Sequence, residues 1–115
     1  MIVCHEMFPT SYLLALAPTP ATASASAEIE LEKYLAHACC SGKPAVWVDC
    51  RLLDTLSATA AWLLWACQQR LHQRQARLVL CRVPAAVERI LQRTLPGTGP
   101  QLLIVPTLDD AAALA

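Results

Sequence analysis

The chain has 115 residues, which is enough for one domain with a real core and too few for two. Although 56% of the residues are hydrophobic, no apolar run approaches the ~20 residues that cross a bilayer, so a membrane-spanning protein is not expected. Nine basic and nine acidic residues cancel, which argues against nucleic-acid binding through neutralisation of phosphates.

The first part of the sequence predicts a hairpin followed by a helix. Two short strands, Met1–Met7 and Ser11–Ala17, are separated by the turn Phe8-Pro9-Thr10. The Pro/Ala/Ser/Thr-rich run 18–26 is typical of a loop, and a helix is predicted from about Ala27 to Cys40.

The middle of the sequence has the pattern of a βαβ unit. The apolar strand Ala45–Asp49 precedes a polar turn, a helix from about Ala58 to Gln73 and a strand over Arg77–Val83. Two strands joined in this way run parallel, with a right-handed crossover. The turn that enters the helix has free backbone N–H groups and the positive end of a helix dipole, so it is the first candidate for a functional site.

The last part predicts a helix over Ala85–Leu95, a strand over Leu102–Val105 and a short terminal helix that opens at Thr107-Leu108-Asp109-Asp110. The predicted order is therefore β-β-α-β-α-β-α-β-α. This alternation indicates an α/β fold, a single domain over residues 1–115 with a central mixed β-sheet and about four helices. The opening hairpin is expected to supply the antiparallel edge of the sheet.

The six cysteines are interpreted as free thiols in a reducing cytoplasm. The N-terminus has no basic region before its apolar stretch, so no signal peptide is expected, and no C-x-x-C pair indicates a metal site. The histidines are scattered, no nucleophile has a recognisable base and acid, and glycine is too scarce for a phosphate-binding loop. Neither an enzyme nor a cofactor is expected.

This order of elements and the residues themselves resemble the STAS family, the domains of sulfate transporters and anti-sigma factor antagonists. The family has an apolar strand that ends in Asp, an Asp-Ser-Ser-Gly-Leu turn that opens a helix, and then an R-L-V-L strand. Without gaps, these features fall on Asp49, on Ser57–Ala61 and on Arg77–Leu80. The resemblance covers essentially the whole chain and implies the STAS-type fold.

The turn departs from the family at one chemically important position. In the family's antagonists, the serine that follows the Asp of the turn accepts phosphate from a partner kinase. The gap-free placement puts Ala58 there, and alanine has no hydroxyl. An alternative placement sets Asp54-Thr55 on the family's Asp-Ser and makes Thr55 the acceptor, but it requires gaps. Ser57 is predicted to cap the helix, and Ser57 and Thr59 are the candidates for a relocated phosphoacceptor.

The three tryptophans are expected to differ in exposure. Trp47 on the central strand and Trp65 on the following helix should face the core. Trp62 is offset from the apolar stripe of that helix, so it should lie near the surface beside the turn. An exposed tryptophan at such a place is a good anchor for an interface.

The resemblance implies a cytoplasmic, bacterial-type module of signal transduction and transcription regulation that binds an anti-sigma factor or a serine-kinase-like protein. The expected partner-binding residues are Ser57, Ala58, Thr59, Ala60 and Trp62. An accessory subunit of a lipid-transport ABC ATPase is the alternative, as some soluble STAS proteins are. The hydrophobic composition is also compatible with a homodimer.

Overall fold

A computed structural model describes residues 2–18, 24–95 and 102–107. Its elements in chain order are β1 (Ile2–Met7), β2 (Ser11–Ala17), α1 (Ser24–Cys40), β3 (Ala45–Asp49), α2 (Ala58–Gln73), β4 (Arg77–Cys81), α3 (Ala85–Thr94) and β5 (Leu103–Val105). The predicted mixed α/β class is confirmed by five strands and three helices in this part of the chain. The predicted terminal helix falls on 108–115, outside the described residues.

The strands form one sheet in the order β1-β2-β3-β4-β5, so each strand lies beside the strand that precedes it in the sequence. β1 pairs with β2 in antiparallel orientation, and β2 to β5 run parallel. Right-handed crossovers between neighbouring parallel strands place their helices on one face, so α1, α2 and α3 all cover the same side of the sheet. The predicted antiparallel edge is confirmed.

The main core lies between the three helices and this face of the sheet. Alternate strand residues point into it because the side-chain period of a strand is two. The buried strand residues include Leu14, Leu16, Val46, Val48, Leu78 and Leu80. The helices contribute Leu31, Leu35, Ala60, Leu64, Leu71, Val87 and Leu91.

The opposite face of the sheet carries a smaller apolar cluster. Val79 and Cys81 are fully buried there, with Trp47 and Val105 packed against them. The ring of Trp47 also lies 6.2 Å from the ring of Phe8, measured between centroids. The expectation that Trp47 faces the main core is therefore wrong, because its strand neighbours occupy that face and the period of two turns Trp47 to the other.

Two element boundaries differ from the predictions by two or more residues, and the end of α3 and the start of β5 differ by one. α1 begins at Ser24 rather than about Ala27, because its alternating serines and alanines are compatible with helix as well as with loop. β4 ends at Cys81 rather than Val83, because Arg82 has a φ of 54°, in the left-handed region that breaks a strand.

Candidate functional site

The turn singled out by the sequence lies at the carboxyl edge of the sheet, between the end of β3 and the start of α2. Leu53 and Leu56 in this turn are buried and attach it to the core. The other side chains from Arg51 to Thr55 are exposed, among them Leu52 and Thr55 itself. The start of α2 is therefore held in place by apolar contacts beneath it, while its outer side meets solvent.

Ser57 is the N-cap of α2. Its backbone is extended (φ −71°, ψ 155°), and its hydroxyl accepts a hydrogen bond from the N–H of Ala60 at 3.1 Å. The predicted capping role is confirmed. The same hydroxyl donates to Oε1 of Glu28 at 2.7 Å and so links the start of α2 to the first turns of α1. The sequence did not relate Glu28 to Ser57, because the two residues are 29 positions apart in the chain.

The next four residues of the predicted set divide between surface and core. Ala58 and Thr59 are exposed in the first turn of α2, and Trp62 is 44% exposed one turn further on. The ring of Trp62 meets the half-buried ring of Trp65 edge-on, with 5.5 Å between centroids. Ala60, by contrast, is 0% exposed. Its inclusion among the contact residues needs correction, since its methyl group packs in the core.

Two exposed apolar side chains at the same end of the molecule were missed. They are Ile29, in the first part of α1, and Leu52, in the turn; their exposed fractions are 69% and 56%. Because α1 and α2 both follow parallel strands, their N-termini lie at the same edge of the sheet. The turn contains three leucines, and its sequence alone does not indicate that Leu52 is exposed while Leu53 and Leu56 are buried.

An ion pair fixes the start of the turn. Asp49, the last residue of β3, accepts a hydrogen bond from the N–H of Arg51 at 3.1 Å. Its Oδ1 also accepts from Nε of Arg82 at 3.2 Å, and its Oδ2 contacts Nη2 of the same guanidinium. Since Arg82 directly follows β4, the pair joins the ends of two neighbouring strands beneath the site.

The other end of α2 borders an open cavity of about 830 Å³. It is lined by Gln68, His72, Gln73, Gln75, Ala76, Arg77 and Leu103. Among the residues that the structure describes, this lining has a histidine and no Ser, Cys, Thr, Asp or Glu side chain.

In residues 2–18, 24–95 and 102–107, no group of three or more His, Cys, Asp or Glu side chains is placed to hold a metal ion. Over the same ranges, no helix combines the length and the apolar character needed to cross a membrane.

Several proteins of known structure superimpose on this chain. No family model and no curated protein matches the sequence. A variant of RsbS from Moorella thermoacetica superimposes with a TM-score of 0.77 at 15% identity, over 97% of this chain and 96% of that one. An anti-sigma factor antagonist from Mycobacterium paratuberculosis gives 0.76 at 18% identity, over 98% and 92%. The phosphorylated Bacillus cell fate determinant SpoIIAA gives 0.73 at 13% identity, over 99% and 100%.

At these identities the likeness shows the fold. The chain has the STAS-type fold of the anti-sigma factor antagonists, as the resemblance implied.

Proposed function

We propose that this chain is a non-enzymatic protein-interaction module of the bacterial cytoplasm that binds an anti-sigma factor or a serine-kinase-like regulator. The docking surface consists of Ser57, Ala58, Thr59 and Trp62. The observation that carries this proposal is the exposure of Trp62, 44%, one turn from the start of α2 in a chain with the fold of anti-sigma factor antagonists.

The chemistry of this surface suits a protein partner better than a small polar ligand. A large aromatic ring beside small side chains can enter a pocket of a partner while the partner approaches the helix start closely. Ile29 and Leu52 add exposed apolar area at the same end of the molecule. The structural neighbours support this assignment, because SpoIIAA is an anti-sigma factor antagonist.

The usual phosphoacceptor position is Ala58 in this proposal. The acceptor turn of the family opens a helix, and α2 begins at Ala58, which supports the gap-free placement. Thr55 lies outside the helix, before its cap. A phosphate on Ser57 would break the cap and bring a dianion beside the Glu28 carboxylate. The docking surface is therefore available without control by phosphate.

A kinase assay tests the assignment of Ala58. The chain is incubated with ATP and an anti-sigma-factor kinase that phosphorylates another protein of this fold, and phosphate is located by tandem mass spectrometry. We expect no stoichiometric phosphate on residues 55–59 of the natural chain. The variant Ala58→Ser should gain one phosphate on the introduced serine, because it restores the hydroxyl at the helix start. Stoichiometric phosphate on Thr55 of the natural chain would contradict both the placement and the constitutive availability.

A binding experiment tests the docking surface. The partner is captured from the native cytoplasm, identified by mass spectrometry and titrated against the chain by calorimetry. Trp62→Ala should weaken the affinity by about 30-fold, the effect of losing an aromatic hot spot. Ala58→Glu should weaken it by about tenfold or more, since a charge would enter an apolar contact.

Two matched controls accompany these variants. Gln73→Glu adds the same charge at the exposed last residue of α2, at the other end of that helix, and Met7→Ala removes an exposed apolar side chain from the edge strand β1. Both should leave the affinity within about twofold. Equal losses in controls and test variants would refute the docking surface. Capture of an ABC ATPase instead would refute the assigned partner class and favour the alternative function.

A further inference from the structure

Two cysteines that the sequence pattern does not relate meet between α1 and α2. Cys39, in the last turn of α1, and Cys67, in the second half of α2, are 28 positions apart, and their Sγ atoms lie 3.2 Å from each other. Both thiols are free. The contact belongs to the same helix pair as the bond between Ser57 and Glu28, about 15 Å further along both helices.

We propose that Cys39 and Cys67 form a redox-sensitive dithiol that a peroxide closes into a disulfide between α1 and α2. The Cys39 thiolate attacks a peroxide oxygen, the O–O bond breaks, and Cys39 becomes a sulfenic acid while hydroxide leaves. The Cys67 thiol gives its proton to that hydroxide, which becomes water, and its sulfur attacks the sulfenic sulfur. The S–O bond breaks, and the second hydroxide that leaves takes up the proton that Cys39 released when it ionised. For hydrogen peroxide, two thiols are oxidised, one peroxide is reduced and two waters form.

The surroundings of the two sulfurs assign them these separate roles. The hydrogen bond with Cys67 lowers the pKa of Cys39 from its usual value near 9 to about 7, and the charges of Arg70 and Arg74 act in the same direction. The same hydrogen bond, together with burial, raises the pKa of Cys67. Cys39 is half-buried and Cys67 is buried, so the thiolate is also the sulfur that an oxidant reaches first.

The other described thiols do not share this arrangement. Burial, followed by the charge of Asp49, raises the pKa of Cys50 to about 12 and that of Cys81 to about 11, so both remain protonated and weakly reactive. Cys40 is exposed beside Cys39, but consecutive helix residues point about 100° apart, so it is turned away from Cys67.

Little movement is needed to close the bond. A disulfide has an S–S distance of about 2.05 Å, so the two sulfurs must approach by roughly 1 Å. Formation of the bond does not depend on a partner at the start of α2, so it can be tested whether or not the docking surface is correct.

The test treats the purified, fully reduced chain with one equivalent of hydrogen peroxide and maps disulfides by mass spectrometry without reduction. We expect the peptides that contain Cys39 and Cys67 to be joined, and the midpoint of thermal unfolding to rise by about 10 °C because the bond closes a loop in the unfolded chain. Cys40→Ser, the matched control, should form the same bond to the same extent. Cys39→Ser and Cys67→Ala should abolish it.

The reduced thermal midpoint of each variant is measured first, so that loss of the bond is separated from loss of the fold. Cys39 is half-buried whereas Cys67 is buried, so Cys39→Ser should destabilise the fold less than Cys67→Ala does. A crosslink that persists in Cys39→Ser, a bond that disappears in Cys40→Ser, or oxidation of Cys39 to sulfinic acid without any crosslink would each overturn the proposal.

Discussion

Ser57 and Ala58 are neighbours in the chain, but only Ser57 has a hydroxyl that a kinase could phosphorylate. The hydroxyl of Ser57 accepts a hydrogen bond from Ala60 and donates one to Glu28. Loss of such a cap costs about 1 kcal/mol, so a phosphate on Ser57 would oppose the stability of α2. Ala58 makes no such bond and offers only an exposed methyl group. The hydroxyl of Ser57 thus stabilises the start of α2, whereas the side chain of Ala58 has no group that could accept a phosphate.

The ionisation of Cys39 gives a prediction at the same scale. Alkylation by iodoacetamide follows the thiolate fraction, so its rate should be half-maximal near pH 7 rather than near 9. The pKa is lowered, so the thiolate is populated above about pH 7 and lost as the pH falls through that value. The measurement uses the Cys40→Ser variant, which lacks the exposed neighbouring thiol, and mass spectrometry locates the label on Cys39.

Charge-neutral variants control this measurement. Replacing Arg70 and Arg74 together by glutamine should move the half-maximal pH upward, because the two guanidinium charges favour the thiolate. A natural chain whose Cys39 titrates near 9, or a double variant that leaves the titration unchanged, would contradict the assigned environment.

Gln68 of α2 completes the edge of β4 where β5 is too short. β5 pairs with Val79, Leu80 and Cys81 of β4 but does not extend to Leu78, the residue that precedes them. The Oε1 atom of Gln68, whose residue is 5% exposed, accepts a hydrogen bond from the N–H of Leu78 at 2.9 Å. A helix side chain therefore satisfies a buried backbone group of the sheet, a need that the apolar pattern of α2 does not reveal.

Removing this acceptor gives a prediction at the scale of the elements. Gln68→Leu keeps most of the side-chain volume but leaves the N–H of Leu78 without its acceptor, so the free energy of unfolding should fall by about 2 kcal/mol. Denaturation by urea measures the change. Gln73→Leu, at an exposed position of the same helix, should change it by less than about 0.5 kcal/mol. Equal effects of the two substitutions would show that the hydrogen bond contributes nothing.

The boundaries of the elements were predictable where local chemistry sets them. The start of α2 follows from Ser57, because a cap is read from a single residue type and its place before an apolar helix. The end of β4 was not predictable, because the conformation of Arg82 accompanies its ion pair with Asp49 on the neighbouring strand. A sequence pattern indicates which face of an element is buried, but not which residue lies opposite.

For the whole molecule, the alternation of strands and helices predicted the mixed sheet and the edge at which the candidate site lies. It could not predict the contacts that give this site and its surroundings their chemistry. Two of these contacts depend on the offset of α1 along α2. They are the hydrogen bond between Ser57 and Glu28 and the contact between the sulfurs of Cys39 and Cys67. That offset is decided by packing of the two helices on the sheet, which no residue spacing within either helix encodes.

The agreement between strand order and chain order has a consequence for how the protein folds during synthesis. Each strand pairs with the strand made just before it, so a nascent chain can add β3, β4 and β5 in turn to the hairpin of β1 and β2. Strand pairs of short sequence separation lower the contact order, and low contact order favours fast folding. An α/β sheet whose strands interleave must wait for a distant segment of the polypeptide to leave the ribosome, and this one need not.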